Sequence, residues 1–143
     1  MDRARRRVIR AAPVVALAAF AGAPRAQDGR TSTVQSAARD WLAITDRGDG
    51  GATWDAAGKQ FRGAITRERW TEALAGVRKP LGAVATRAVQ STTFRKSVPG
   101  APKGEYATVL FRTSFANKPD GGETVTLEHE ADGQWRVVGY VIQ

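Results

Sequence analysis

The hydrophobic period of the chain changes at Gly82, from about 3.6 residues before it to about 2 after it. Helix-forming segments are thereby confined to the first part of the chain and strand-forming segments to the second. A chain divided in this way folds as α+β, with N-terminal helices packed on one face of an antiparallel sheet. In the first part, Val34, Ala37, Ala38, Trp41, Leu42 and Thr45 share one face at helical spacing, behind a Ser32/Gln35 capping box and ahead of Gly48. A second, shorter helix starts near Thr53 and puts Trp54, Ala57 and Phe61 on one side. Thr66 caps a third, with Trp70, Ala73, Leu74 and Val77 inward and Pro80 as terminator.

Residues 85–96, rich in Thr, Val and Phe, read as the first strand, and the following 97–104 (SVPGAPKG) is turn chemistry throughout. Residues 105–116 alternate. Ala107, Val109, Phe111, Thr113 and Phe115 face one way, and Tyr106, Thr108, Leu110, Arg112 and Ser114 the other. Residues 117–122 (NKPDGG) turn the chain, 123–130 return, 131–134 turn again, and 135–142 make the last strand. Three or four strands joined this way form a meander. Strict alternation in the last strand sets Val138 and Tyr140 on one face and Val137 on the other.

Ahead of this domain, Arg3, Arg5, Arg6, Arg7 and Arg10 precede an apolar run of about 13 residues and small residues with cleavage points after Ala23 or Ala26. The run is short of the roughly 20 residues a membrane-spanning helix needs. It reads as an export signal over residues 1–26, which places the protein in the periplasm or outside the cell and its membrane contact in transit only. The general secretory route serves such a segment, and Arg5-Arg6-Arg7-Val8-Ile9-Arg10 also approximates a twin-arginine signal. Residues 27–32 are a flexible lead-in, and 33–143 a single domain. Six arginines and one aspartate fall within the signal, so the net charge of +8 becomes +3 without it. The remaining charges are interspersed, which argues against a nucleic-acid partner. There is no cysteine, and hence neither disulfide nor thiolate metal site.

Candidate chemical groups each have a structural competitor. His129 is the only histidine, and it lies on a strand beside Val125 and Leu127. Asp46 with Asp49, and Glu128 with Glu130 on one strand face, are paired carboxylates that also fit a solvated surface. Lys118 and Glu123 bracket a hairpin and suit a surface ion pair, and Asn117 suits a turn or cap. Trp41, Trp54, Trp70 and Trp135 fit a core better than a ligand pocket. GxSxG, phosphate-loop, dinucleotide and CxxC patterns are missing. No catalytic residue is assigned, and no metal or cofactor is called for.

The chain resembles a bacterial family of small exported proteins catalogued as a domain of unknown function, number 4019. The resemblance rests on Trp41-Leu42, Asp46, Gly48-Asp49, Trp54, Phe61, Trp70 and Pro80-Leu81-Gly82. It continues in Pro99-Gly100-Ala101-Pro102, Gly104-Glu105-Tyr106, Ser114-Phe115-Ala116-Asn117-Lys118 and Glu123-Thr124-Val125-Thr126-Leu127. Asp132-Gly133-Gln134-Trp135-Arg136-Val137 and Gly139-Tyr140 complete it. Gly50 departs from the resemblance, which leads to an aromatic there, and a glycine would loosen the lead into the second helix. The layout is also similar to nuclear-transport-factor-2 and cystatin domains, an analogy of fold only.

One layer of helices covers one side of the sheet, so the second face needs a pocket, another element or a partner. Its residues Tyr106, Leu110, Arg112, Val138 and Tyr140 form the expected ligand-or-partner face. Three functions follow: a non-enzymatic envelope module for a small ligand or an envelope protein, a homodimer through this face, or an enzyme. The enzyme would use Asp46, Glu128 or His129 as general base with Tyr106 or Tyr140.

Overall fold

A computed structural model describes residues 25–143; most of the expected export segment, residues 1–24, lies outside them. Among the described residues four helices precede four strands: α1 (Arg25–Asp46), α2 (Gly50–Ala56), α3 (Lys59–Ala64), α4 (Arg67–Leu81), β1 (Val84–Arg95), β2 (Tyr106–Phe115), β3 (Lys118–His129) and β4 (Trp135–Ile142). The strands form one antiparallel sheet in the order β1-β2-β3-β4, the expected meander, and the helices pack against it in an α+β fold. Among the described residues no helix is long and apolar enough to cross a membrane.

Helix α1 covers the sheet. Val34, Ala38, Trp41 and Leu42 recur at i, i+4, i+7 and i+8 and pack on Ala107, Val109, Phe111, Val125, Leu127 and Val137. The helix begins upstream of Ser32, so residues 27–32 are helical turns where a lead-in and a capping box were expected. The cause lies across the fold. The Gln35 amide donates to Thr92 Oγ1 (3.0 Å), and the Arg30 guanidinium sits 4.3 Å from the centre of the Phe94 ring, holding these turns against β1.

The expected second helix is two helices. Ala57 is extended and Gly58 donates its N–H to the Val137 carbonyl of β4 (2.8 Å), which α-helical geometry would forbid. The chain restarts as α3, whose first free N–H, from Lys59, is accepted by Glu130 (3.0 Å). At Gly50 a Cβ would lie 2.8 Å from Thr71 Cα, so glycine lets α2 and α4 approach backbone to backbone. Glycine at this position tightens the corner instead of loosening it.

Helix α4 packs chiefly on α2, which rotates its buried stripe to Trp70, Leu74 and Arg78 and leaves Val77 49% exposed instead of inward. Thr66 caps its start as expected, accepting from the Arg69 N–H. It ends one residue past Pro80, where Asn117 donates from its backbone N–H to the Leu81 carbonyl and from Nδ2 to the Pro80 carbonyl.

Strand β3 begins earlier than expected, at Lys118, after a two-residue turn at Ala116 and Asn117. Gly121 makes this possible, because a Cβ there would come within 2.7 Å of the Thr113 carbonyl and 2.9 Å of the Phe115 ring. In β4, Leu127 pairs with Val137 but Thr126 pairs with Gly139, so Val138 is an extra residue. Every side chain beyond this bulge changes face.

Candidate functional site

The bulge corrects one member of the expected ligand face. Tyr140 pairs with Val125 and turns toward the helices, its ring 5.1 Å from that of Trp41 at 73°. Its hydroxyl donates to Glu123, which is 1% exposed and in phase with Val125 and Leu127. The same carboxylate accepts from Thr113 Oγ1 (2.6 Å) and Arg87 Nε (2.7 Å). Arg87 reaches on to Asp46 with both terminal nitrogens (2.7 and 2.9 Å), and Arg78 Nη2 reaches the same aspartate (2.8 Å). Arg78 lies over the Phe115 ring, and its Nε and Nη1 are buried with no partner among the described residues.

Two carboxylates and two guanidinium groups thus tie the end of α1 and α4 to every strand of the sheet. Burial, followed by the Glu123 charge and hydrogen bond, raises the Tyr140 pKa, so its hydroxyl keeps its proton. The Glu123 side chain has no exposed surface. This is a buried carboxylate beside a tyrosine hydroxyl, yet it is a structural pin.

Burial pushes the Asp46 carboxyl up, but hydrogen bonds from Arg87 and Arg78 outweigh it and hold the pKa below 3.8. A carboxyl lowered by folding contributes stability that is complete above its unfolded value and is lost as the pH falls through the folded one. Denaturant melts at about pH 5 and about pH 3 are therefore expected to show a loss of stability at the lower value. Asp46→Asn should lose less over that interval, since the residue it replaces no longer titrates.

The second face of the sheet is where Tyr106, Leu110 and Arg112 lie, in the outward phase of β2. Tyr106 is nevertheless 1% exposed, because neighbouring segments fold over it. Its hydroxyl donates to the Pro102 carbonyl (2.6 Å) in the β1–β2 loop and accepts from Gln60 Nε2 (2.9 Å) of α3. Gln60 also donates to Glu128 (2.7 Å), the cross-strand partner of Tyr106. Helix α3 has come round the β4 edge to meet the loop.

Between them is a cleft of about 560 Å³. The sheet supplies Thr108, Thr126, Val138 and Gly139 to it, α3 supplies Gln60 and Ala64, and residues 95 and 98–101 close the other side. A second depression of about 550 Å³, farther along the face, takes in Leu110 and Arg112 with Gln90, Asp120 and Gln143. Of the expected face, Val138 lines the cleft, Tyr106 supports it, Leu110 and Arg112 lie beyond it, and Tyr140 is on the opposite side.

The other candidates are occupied locally. Asp49 caps α2 by accepting from the Ala52 N–H (2.9 Å), away from Asp46. Glu130 accepts from Lys59 N–H and Arg136, which outweigh burial and lower its pKa, while Glu128 is held by Gln60. Arg136 and the Gln134 N–H bring Asp132 down to about 2. Lys118 faces Asp120 (3.7 Å) instead of Glu123. His129 stacks on Trp135 with Glu105 Oε2 and the Gly133 carbonyl at its two nitrogens (2.9 and 3.1 Å). Trp41 and Trp70 cluster with Phe61 in the core, and Trp54 donates to the Ile65 carbonyl. Among the described residues no three His, Asp or Glu side chains gather about a metal-sized site. Gln60 and Arg95 at the cleft, and Arg87 in the pin, are the residues that sequence reasoning passed over.

No curated protein matches the sequence. A solved structure from Catenulispora acidiphila is similar at a TM-score of 0.53 and 16% identity, covering 83% of this chain and 94% of that one. That likeness is one of fold. Residues 37–140, from the core face of α1 through the Tyr140 that closes the pin, match the family described as "Protein of unknown function (DUF4019)". The chain belongs to the DUF4019 family.

Proposed function

We propose that the protein is a non-enzymatic binding module of the cell envelope, exported through its N-terminal segment, with the outer-face cleft as its ligand site. The observation that carries this reading is the convergence of α3, the β1–β2 loop and the sheet on one cleft of about 560 Å³. That size lies within the usual range for small-molecule sites. Gln60, which lines it, is fixed by donating to Tyr106 and Glu128, and Tyr106 in turn donates to Pro102 of the loop, so two of its walls are tied together without a ligand.

Native mass spectrometry on protein exported to the periplasm of a bacterial host tests it. Mass beyond the processed polypeptide is expected, and Thr126→Trp, which fills the cleft, should abolish that extra mass with the circular dichroism unchanged. A clean polypeptide mass, or extra mass retained by Thr126→Trp, would count against the reading. Homodimerisation is the second reading, favoured by Val141, which is 55% exposed on the outer face across Thr124 from Leu110. Stable interfaces bury about 800 Å² per partner, of which two apolar side chains are a small part. A dimer in the same spectrum, dissociated by Leu110→Glu, would move it to first place.

A further inference from the structure

We infer that the outer-face cleft selects a small amphipathic anion, with its charged group at Arg95 and its apolar part against Val98, Pro99 and Val138. The inference rests on the binding reading above and names the ligand class for that site.

Charge carries the first step. Among the described residues, Arg95 is the one ionisable side chain lining the cleft. Arg95 is exposed at the cleft and, like Arg62 and Arg112, has no carboxylate within 4.0 Å among the described residues, whereas Arg67, Arg78, Arg87 and Arg136 each hold one. The nearby loop residues Lys96 and Lys103 are exposed and likewise form no ion pair among the described residues. The nearest acid along the strand pairing, Glu128, lies beyond Tyr106 from Arg95, is held by the Gln60 amide and does not line the cleft. A planar guanidinium without a partner is suited to a carboxylate or phosphate.

Polarity carries the second step. Thr108 and Thr126 are half-buried residues lining the cleft, and their hydroxyls make no side-chain hydrogen bond among the described residues. They are left to donate to, or accept from, what enters. Val98, Pro99 and Val138 supply apolar contact on the remaining sides, and no other charge among the described residues lines the cleft. A neutral amphiphile would leave Arg95 unpaired, and a cation would meet like charge. An inorganic anion would leave the apolar walls wet.

The probes are octanoate, octan-1-ol and octylamine, titrated separately below their micellar range against nitrogen-labelled protein. Amide resonances give the readout. Octanoate is expected to shift Thr108, Thr126 and Gly139 to saturation, to bind about tenfold tighter than octan-1-ol, and to exceed octylamine by more. Arg95→Gln should bring octanoate down to the octan-1-ol affinity, and Thr126→Trp should abolish all of these shifts. Equal binding of octanoate and octan-1-ol, or an Arg95→Gln variant with unchanged preference, overturns anion selection while the cleft remains a binding site. No shift from any probe at the cleft overturns the inference. The exported protein's own bound mass, present or missing, then decides the binding reading separately.

Discussion

Glu123→Ala is expected to lower the unfolding free energy by about 3–5 kcal/mol, measured by urea denaturation near neutral pH with an unchanged m-value. The effect comes from what the substitution leaves behind. Arg87 Nε and the hydroxyls of Thr113 and Tyr140 lose their shared acceptor in a place water does not reach. Asp46, which already receives both Arg78 and Arg87, is left to balance two guanidinium groups by itself. A buried ion pair contributes little over a well-packed apolar pair, but one partner without the other is costly. Glu123→Met combined with Arg87→Met should therefore recover part of the loss, the part due to the unpaired guanidinium, while the Thr113 and Tyr140 hydroxyls stay without their acceptor. A cost below about 1 kcal/mol for Glu123→Ala would show that the pin is dispensable.

Trp41→Ala should be as damaging, at about 3–5 kcal/mol by the same measurement. The indole is 3% exposed, and three aromatic rings surround it: Phe61 at 6.5 Å, Trp70 at 6.2 Å and Tyr140 at 5.1 Å. Its Nε1 donates to the Thr53 carbonyl (3.0 Å), so truncation opens a cavity and leaves a buried acceptor unpaired. Trp41→Phe keeps a ring in place but loses that bond, and should fall between alanine and wild type. Near-ultraviolet circular dichroism would report the ring cluster, since truncation removes the indole and loosens the rings around it.

These two sites differ in how well the sequence announced them. Trp41 belongs to a helical stripe with Val34, Ala38 and Leu42, and all four are buried where the period placed them. The division at Gly82, the meander and the two faces of β2 were legible for the same reason: they depend on local periodicity. Tyr140 was misplaced because the bulge at Val138 is a property of its pairing with Thr126 and Leu127, and alternation within one strand does not contain it. The start of α1 depends on Arg30 meeting Phe94 and Gln35 meeting Thr92, contacts made far along the chain.

The pin did leave a signal. Glu123 lies in the core phase of β3 with Val125 and Leu127, and Arg87 in the core phase of β1 with Val89. Two opposite charges at inward positions of a sheet imply each other, and reading Glu123 as the bracket of a hairpin concealed this. Gln60 left none. Its place at the cleft follows from Gly58 docking on Val137 and Glu130 capping α3, and neither contact has a pattern in the sequence.

Because neighbours in the sheet are also neighbours in the chain, each hairpin closes a short loop onto an edge already present, which favours rapid folding. The last eight-residue strand is the exception in energy if not in topology. Until it joins, Glu123 has no tyrosine hydroxyl, Trp41 lacks one wall of its ring cage, and Gly58 has no carbonyl to anchor α3. A three-stranded intermediate would therefore carry a buried carboxylate short of one hydrogen bond and a detached helix at once. Such a species has little to stabilise it, so the domain should pass between unfolded and native states as a single cooperative unit.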